Sequence, residues 1–100
     1  MPNSPEQCST MVDVREGVDA TDRELVELLA RRFGYMRAAA RIKDNRDMVR
    51  DEVRKAAVIK SAKAEATTHG LPADVIGDIW EGLVEGSIAY ELAEWDRLRD

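Results

Sequence analysis

Arg32 and Lys43 stand eleven residues apart, about three helical turns, in a stretch whose other residues at that phase are Leu25, Leu29, Met36 and Ala39. Two cations therefore fall on a stripe that is otherwise apolar. Further on, the series Trp80, Val84, Ser87, Glu91 puts a hydroxyl and a carboxylate on an apolar face in the same way. Asp51, Arg54 and Lys55 share one face of the segment between. Charges in such positions need partners, because an unpaired buried charge costs several kcal/mol. An internal network would satisfy them one at a time, for example Glu91 with Lys43 and Arg54 with Asp51. As a set, Arg15, Arg32, Lys43 and Arg54 outnumber the inward acids, and that surplus points to a small anionic ligand with two or more carboxylates. Arginine supplies the planar, bidentate geometry such a ligand needs.

Other chemistries lack their residues. A single cysteine, Cys8, and a single histidine, His69, exclude a disulfide framework and make a multi-ligand metal site unexpected. Cys8 reads as an ordinary thiol, His69 as a residue closing a helix, and Trp80 and Trp95 as core or interface anchors. No glycine-rich phosphate loop or nucleophile elbow occurs. Any catalysis must then run on binding and electrostatics, without metal or cofactor.

Three helices are expected to position these groups. There is no sustained period-2 alternation and no Asn-Gly or Asp-Gly turn, so strands are not expected. Met11, Val14, Val18, Leu25, Leu28, Leu29, Phe33 and Met36 recur at helical spacing from about Thr10 to about Ile42. Ser9 and Thr10 are suited to cap that helix, and Asp13 and Glu16 suit its positive end. Gly17 and the Thr21–Glu24 pair could mark a break, but the apolar spacing runs through them and predicts one continuous helix. Asp44-Asn45-Arg46-Asp47 forms a polar turn, with Asp47 capping a second helix from about Met48 to Thr68. His69-Gly70 ends it. Pro72 opens a third helix that carries Val75, Ile76, Ile79, Trp80, Leu83, Val84, Ile88 and Leu92 to about Leu98.

The chain has 100 residues, 44% hydrophobic and 35% charged, and a mean hydropathy of -0.43. This fits one soluble helical domain over residues 9–100 behind an unstructured lead at residues 1–8. No apolar run approaches the ~20 residues of a membrane span, and no signal segment opens the chain, so a cytoplasmic protein is expected. A first helix of about 50 Å outruns a 100-residue globule with a radius of gyration near 13 Å. A partner chain covering its apolar stripe resolves the mismatch, and an intertwined homodimer is expected.

The formal net charge of -5 is unevenly spread. Residues 1–30 hold two basic and seven acidic side chains, residues 31–63 eleven and four, and residues 64–100 two and nine. A basic middle between acidic ends suits packing between helices or a focused field for a small anion. With only five aromatic residues there is no basic–aromatic interleaving for nucleic acid.

The run Val12-Asp13-Val14-Arg15-Glu16-Gly17-Val18-Asp19, then Asp22 to Arg32 and Ala38 to Lys43, resembles the first helix of the all-helical chorismate mutases. The related isochorismate-pyruvate lyases share the pattern, including a lead like Pro5-Glu6-Gln7-Cys8. Val49 to Arg54 resembles the family's second-helix motif and Ser87-Ile88-Ala89-Tyr90-Glu91 its third, so the resemblance covers about residues 8 to 98. It implies an all-α homodimer whose two active sites each draw on both chains. It implies that Arg15 from the partner chain and Arg32 clamp the carboxylates of chorismate. Lys43 and Glu91 would face the ether oxygen of the breaking C–O bond, while Asp51, Arg54 and Ser87 would hold the ring hydroxyl and a carboxylate. The implied reaction is the Claisen-type rearrangement of chorismate to prephenate, on the route to phenylalanine and tyrosine, without cofactor. A chain this short leaves no room for a fused dehydratase, dehydrogenase or regulatory domain.

Two positions depart from the bacterial pattern: Glu91 stands for a glutamine, as in some eukaryotic mutases, and Lys55 stands for a glutamate that contacts the substrate hydroxyl. Splitting of isochorismate into salicylate and pyruvate is the nearest alternative, and an amino-substituted chorismate is another substrate of the same kind. The loop at 44–49 resembles the mutases more than the proline-bearing loop of the lyase. A non-catalytic helical dimerisation module is the alternative of a different class, and it leaves the inward cations without a purpose.

Overall fold

The computed structural model describes residues 2–100 and is all-helical, with three α-helices and no strand among those residues. Helix α1 spans Met11–Ile42, α2 spans Glu52–Thr68 and α3 spans Ala73–Leu98. The chain divides into two compact units, one ending at Gly34 and the other running from Tyr35 to Asp100.

In the first unit the lead departs from expectation. Pro5–Gln7 form one turn of 3-10 helix, with Pro5 in its first turn and Ser4 and Gln7 bonding each other's backbone in a capping box. The expected unstructured segment is thus locally ordered. Met1, which it also included, lies outside the described residues. Thr10 caps α1 by accepting from the Asp13 N–H at 3.2 Å, and the Asp13 carboxylate accepts from the Ser9 N–H at 3.1 Å. That Ser9 N–H holds the Asp13 carboxyl below the usual range. Helix α1 continues unbroken through Gly17 for 32 residues, about 48 Å. Many of its apolar side chains are exposed, among them Met11, Val14, Val18, Leu25 and Leu28.

The second unit is built on α2 against α3. Lys63 meets Asp74 and lies over Gly77, whereas Lys55 meets Glu81 and Glu85, so the two helices run antiparallel. A β-carbon at position 77 would lie 3.0 Å from the Lys63 side chain, so glycine there permits the close approach. Helix α2 ends as expected: Gly70 adopts φ 71°, Leu71 N–H donates to Ala66 O at 2.8 Å and Gly70 N–H to Thr67 O at 3.1 Å.

Two boundaries differ from expectation. Helix α2 begins at Glu52 rather than near Met48, and Asp51, not Asp47, caps it, accepting from Arg54 N–H at 2.9 Å. Arg46–Met48 instead form a separate 3-10 turn capped by Asn45, which swings Val49 into the core. The second departure is Pro72, which occupies the N-cap of α3 instead of a helical position.

The core is small: Val49, Val84 and Ile88, with Val58, Ile59, Trp80, Leu92 and Trp95 packed around them. Side chains of this size contribute about 1.5–3 kcal/mol each on full burial. No large side chain among the described residues is fully buried within the single chain.

Candidate active site

Five cations of the basic middle pair with acids of α3. Lys43 meets Glu91, Arg46 meets Asp96, Arg50 meets Glu85, Lys55 meets Glu81 and Glu85, and Lys63 meets Asp74. Part of the uneven charge is therefore self-complementary packing. Most of these pairs are exposed and individually contribute little. The Glu85 group is the densest. Bonds from Arg50 first, then Lys55, hold its carboxyl down to about 2. Glu81 and Glu85 in turn raise the Lys55 ammonium above its ordinary value.

Lys43 and Glu91 differ from the rest in cover. Lys43 Nζ donates to Glu91 Oε2 at 2.8 Å, and the Glu91 side chain is only 5% exposed against 25% for Lys43. Glu91 is buried because α3 turns the face bearing Val84, Ser87 and Ile88 inward and carries Glu91 with it. Ser87 lies one turn earlier on that face, buried, its hydroxyl donating to Leu83 O at 2.7 Å. Its hydrogen is thus engaged by that carbonyl. Of the three, Lys43 is the donor that an oxygen gathering negative charge needs, and Glu91 would join it only when protonated.

The remaining expected residues stand differently. Asp51 and Arg54 meet through Arg54's backbone N–H, with the Asp51 side chain serving as the helix cap. Arg54 lines an open groove of about 530 Å³ along α2 and α3, shared with Val58, Ser61, Ala66, His69 and Trp80. Arg15 and Arg32 belong to the first unit, Arg15 exposed and Arg32 half-buried. Of the four cations expected to face inward, Arg32 and Lys43 are half-buried and Arg15 and Arg54 are exposed. Helical phase identifies the face a cation shares with apolar residues but not what covers that face. Lys55, which stands where the bacterial pattern has a glutamate that contacts the substrate hydroxyl, is engaged by Glu81 and Glu85. Among the described residues no cluster of three or more His, Cys, Asp or Glu side chains is placed to hold a metal ion.

Two contributors were not anticipated. Trp95 Nε1–H donates to the Lys43 carbonyl at 3.1 Å, and Arg99 donates to the same carbonyl at 2.8 Å. Glu91 and Trp95 stand four residues apart on one face of α3, and Arg99, a further four on, is its C-cap. That spacing was the available signal.

The structure is thus that of an all-helical protein presenting a half-buried lysine on a buried carboxylate, with a hydroxyl one turn away. A family model for chorismate mutase type II matches residues 14–92, and the chain belongs to that family. It is 29% identical over 96 residues to an isochorismate pyruvate lyase of Pseudomonas aeruginosa, covering 96% of this chain and 95% of that protein. It is also 29% identical over 80 residues to the T-protein of Haemophilus influenzae, covering 79% of this chain but 21% of that longer protein. No helix among the described residues is long and apolar enough to cross a membrane.

Proposed function

We propose that this chain is a chorismate mutase, rearranging chorismate to prephenate in sites shared between the subunits of a homodimer. The observation that carries the reading is the Lys43–Glu91 pair, a donor cation and an acid at 2.8 Å on a buried face with Ser87 one turn away. In the rearrangement the ether oxygen gathers charge as its bond to carbon breaks. Lys43 donates to that oxygen, and Glu91, when protonated, donates from the other side. Arg32 and the partner chain's equivalent of Arg15 hold the two carboxylates, folding a flexible substrate into its reactive pose. Asp51, Arg54 and Ser87 bind the ring hydroxyl and a carboxylate. No covalent intermediate is needed. The exposed apolar residues of α1, from Met11 to Leu29, support the dimer, since a second chain would remove them from water.

Isochorismate-pyruvate lysis is the second reading, favoured by the likeness to the Pseudomonas aeruginosa lyase along nearly the whole of both chains. The same pair would serve it, because both reactions break a C–O bond beside a carboxylate-bearing carbon. Incubating the pure protein separately with chorismate and isochorismate, and identifying the products, decides between them. Prephenate from chorismate supports the mutase. Salicylate and pyruvate from isochorismate, with chorismate untouched, replaces it with the lyase.

A further inference from the structure

Helix α1 ends at Ile42 without the glycine that closes α2, and its last carbonyls need donors from elsewhere. They come from the far end of α3. One Arg99 nitrogen donates to Ala40 O at 3.0 Å and to Trp95 O at 3.3 Å, and the other donates to Lys43 O at 2.8 Å. Trp95 Nε1–H adds a second bond to Lys43 O at 3.1 Å. The guanidinium carbon lies over the Trp95 ring, 4.2 Å from its centre, an attractive cation–π contact. A cation is also the favoured partner for the negative end of a helix.

Lys43 is therefore gripped at both ends by α3 and its C-cap. Glu91 takes its ammonium, and one and two turns later Trp95 and Arg99 take its carbonyl. A lysine side chain has four rotatable bonds and places its nitrogen only as well as its backbone is held. We infer that Arg99 and Trp95 are positioning residues for Lys43, fixing its backbone so that its ammonium stays at Glu91 and at the reacting oxygen. Neither touches substrate in this role. The inference rests on the proposed part of Lys43 in C–O cleavage.

The test compares wild type with Arg99→Ala, Arg99→Lys and Trp95→Phe on whichever substrate the wild type converts. Two readouts are taken: kcat against KM, and the ¹⁵N–¹H resonance of the Lys43 ammonium, assigned by its loss in Lys43→Ala. Arg99→Ala should lower kcat about tenfold or more, since misplacing a catalytic group by an ångström costs up to about 100-fold, while KM stays within about twofold. Arg99→Lys, a single-point donor that cannot fork across two carbonyls, should recover part of that loss. Trp95→Phe keeps the ring and deletes the N–H, and should cost about threefold in kcat. The Lys43 ammonium signal should shift or broaden in Arg99→Ala while helical content is retained. An Arg99→Ala variant with wild-type kcat, a loss confined to KM, or an unchanged ammonium signal overturns the assignment. If the wild type converts neither substrate the functional reading fails instead, and the clamp is judged on the ammonium resonance alone.

Discussion

Lys43 Nζ lies 2.8 Å from Glu91 Oε2, and the acid is far better covered than the lysine, at 5% against 25% side-chain exposure. The ammonium can thus turn toward an incoming oxygen while the carboxyl group stays fixed beneath it. Glu91 accepts from Lys43 in the structure, and an ionised carboxylate has no hydrogen to donate. For Glu91 to assist a departing ether oxygen it must carry a proton.

Glu91→Gln keeps an oxygen for Lys43 and adds an N–H donor, so it should retain or raise activity near neutrality. Turnover of the two proteins compared at neutral pH checks this. A large loss of turnover in the glutamine variant, with its helical content retained, would remove Glu91 from the reacting oxygen.

Arg15→Ala and Arg32→Ala should each lower turnover about 100-fold or more, each deleting a charge-assisted bond to a substrate carboxylate. Helical content by circular dichroism should stay near wild type. Mixing the two inactive variants should restore part of the activity, since hybrid dimers would hold one intact site. Full activity in either single variant counts against the clamp, and failure of the mixture to recover counts against Arg15 acting across an interface.

Sedimentation at micromolar concentration should show a dimer, and dilution should unfold the chain instead of releasing native monomers. The motive is the row of exposed apolar side chains on α1, with no large side chain fully buried among the described residues. A folded 11.2 kDa species would contradict it.

Acid should loosen the second unit through Glu85. Its carboxyl is held down from 4.5 to about 2, first by Arg50 and then by Lys55. A folded value below the unfolded one means that the stabilisation is fully present above about pH 4.5 and is lost as pH falls toward 2. Because Glu85 is 41% exposed, screening keeps the effect modest. Urea midpoints at pH 7, 4.5 and 3 should show a smaller acid loss in Glu85→Gln than in wild type. Equal losses would mean that the Arg50–Glu85–Lys55 group does not contribute.

Helical spacing along the sequence determined that the chain is all-α with three long elements, and Gly70 determined where the second one stops, because only glycine readily takes that left-handed turn. Spacing also put Lys43 and Glu91 on apolar faces, which suggested their pairing. The tertiary structure decided what local pattern cannot encode. Asp47 and Asp51 have equal capping chemistry, and the burial of Val49 gave the cap to Asp51. Arg54 and Lys55 are neighbours in sequence, yet Lys55 meets Glu81 and Glu85 while Arg54 opens onto a groove. Such choices rest on which residues of α2 and α3 come opposite one another. The hold of Trp95 and Arg99 on Lys43 spans more than fifty residues of chain, and only the folded path of α3 back to the end of α1 brings them together.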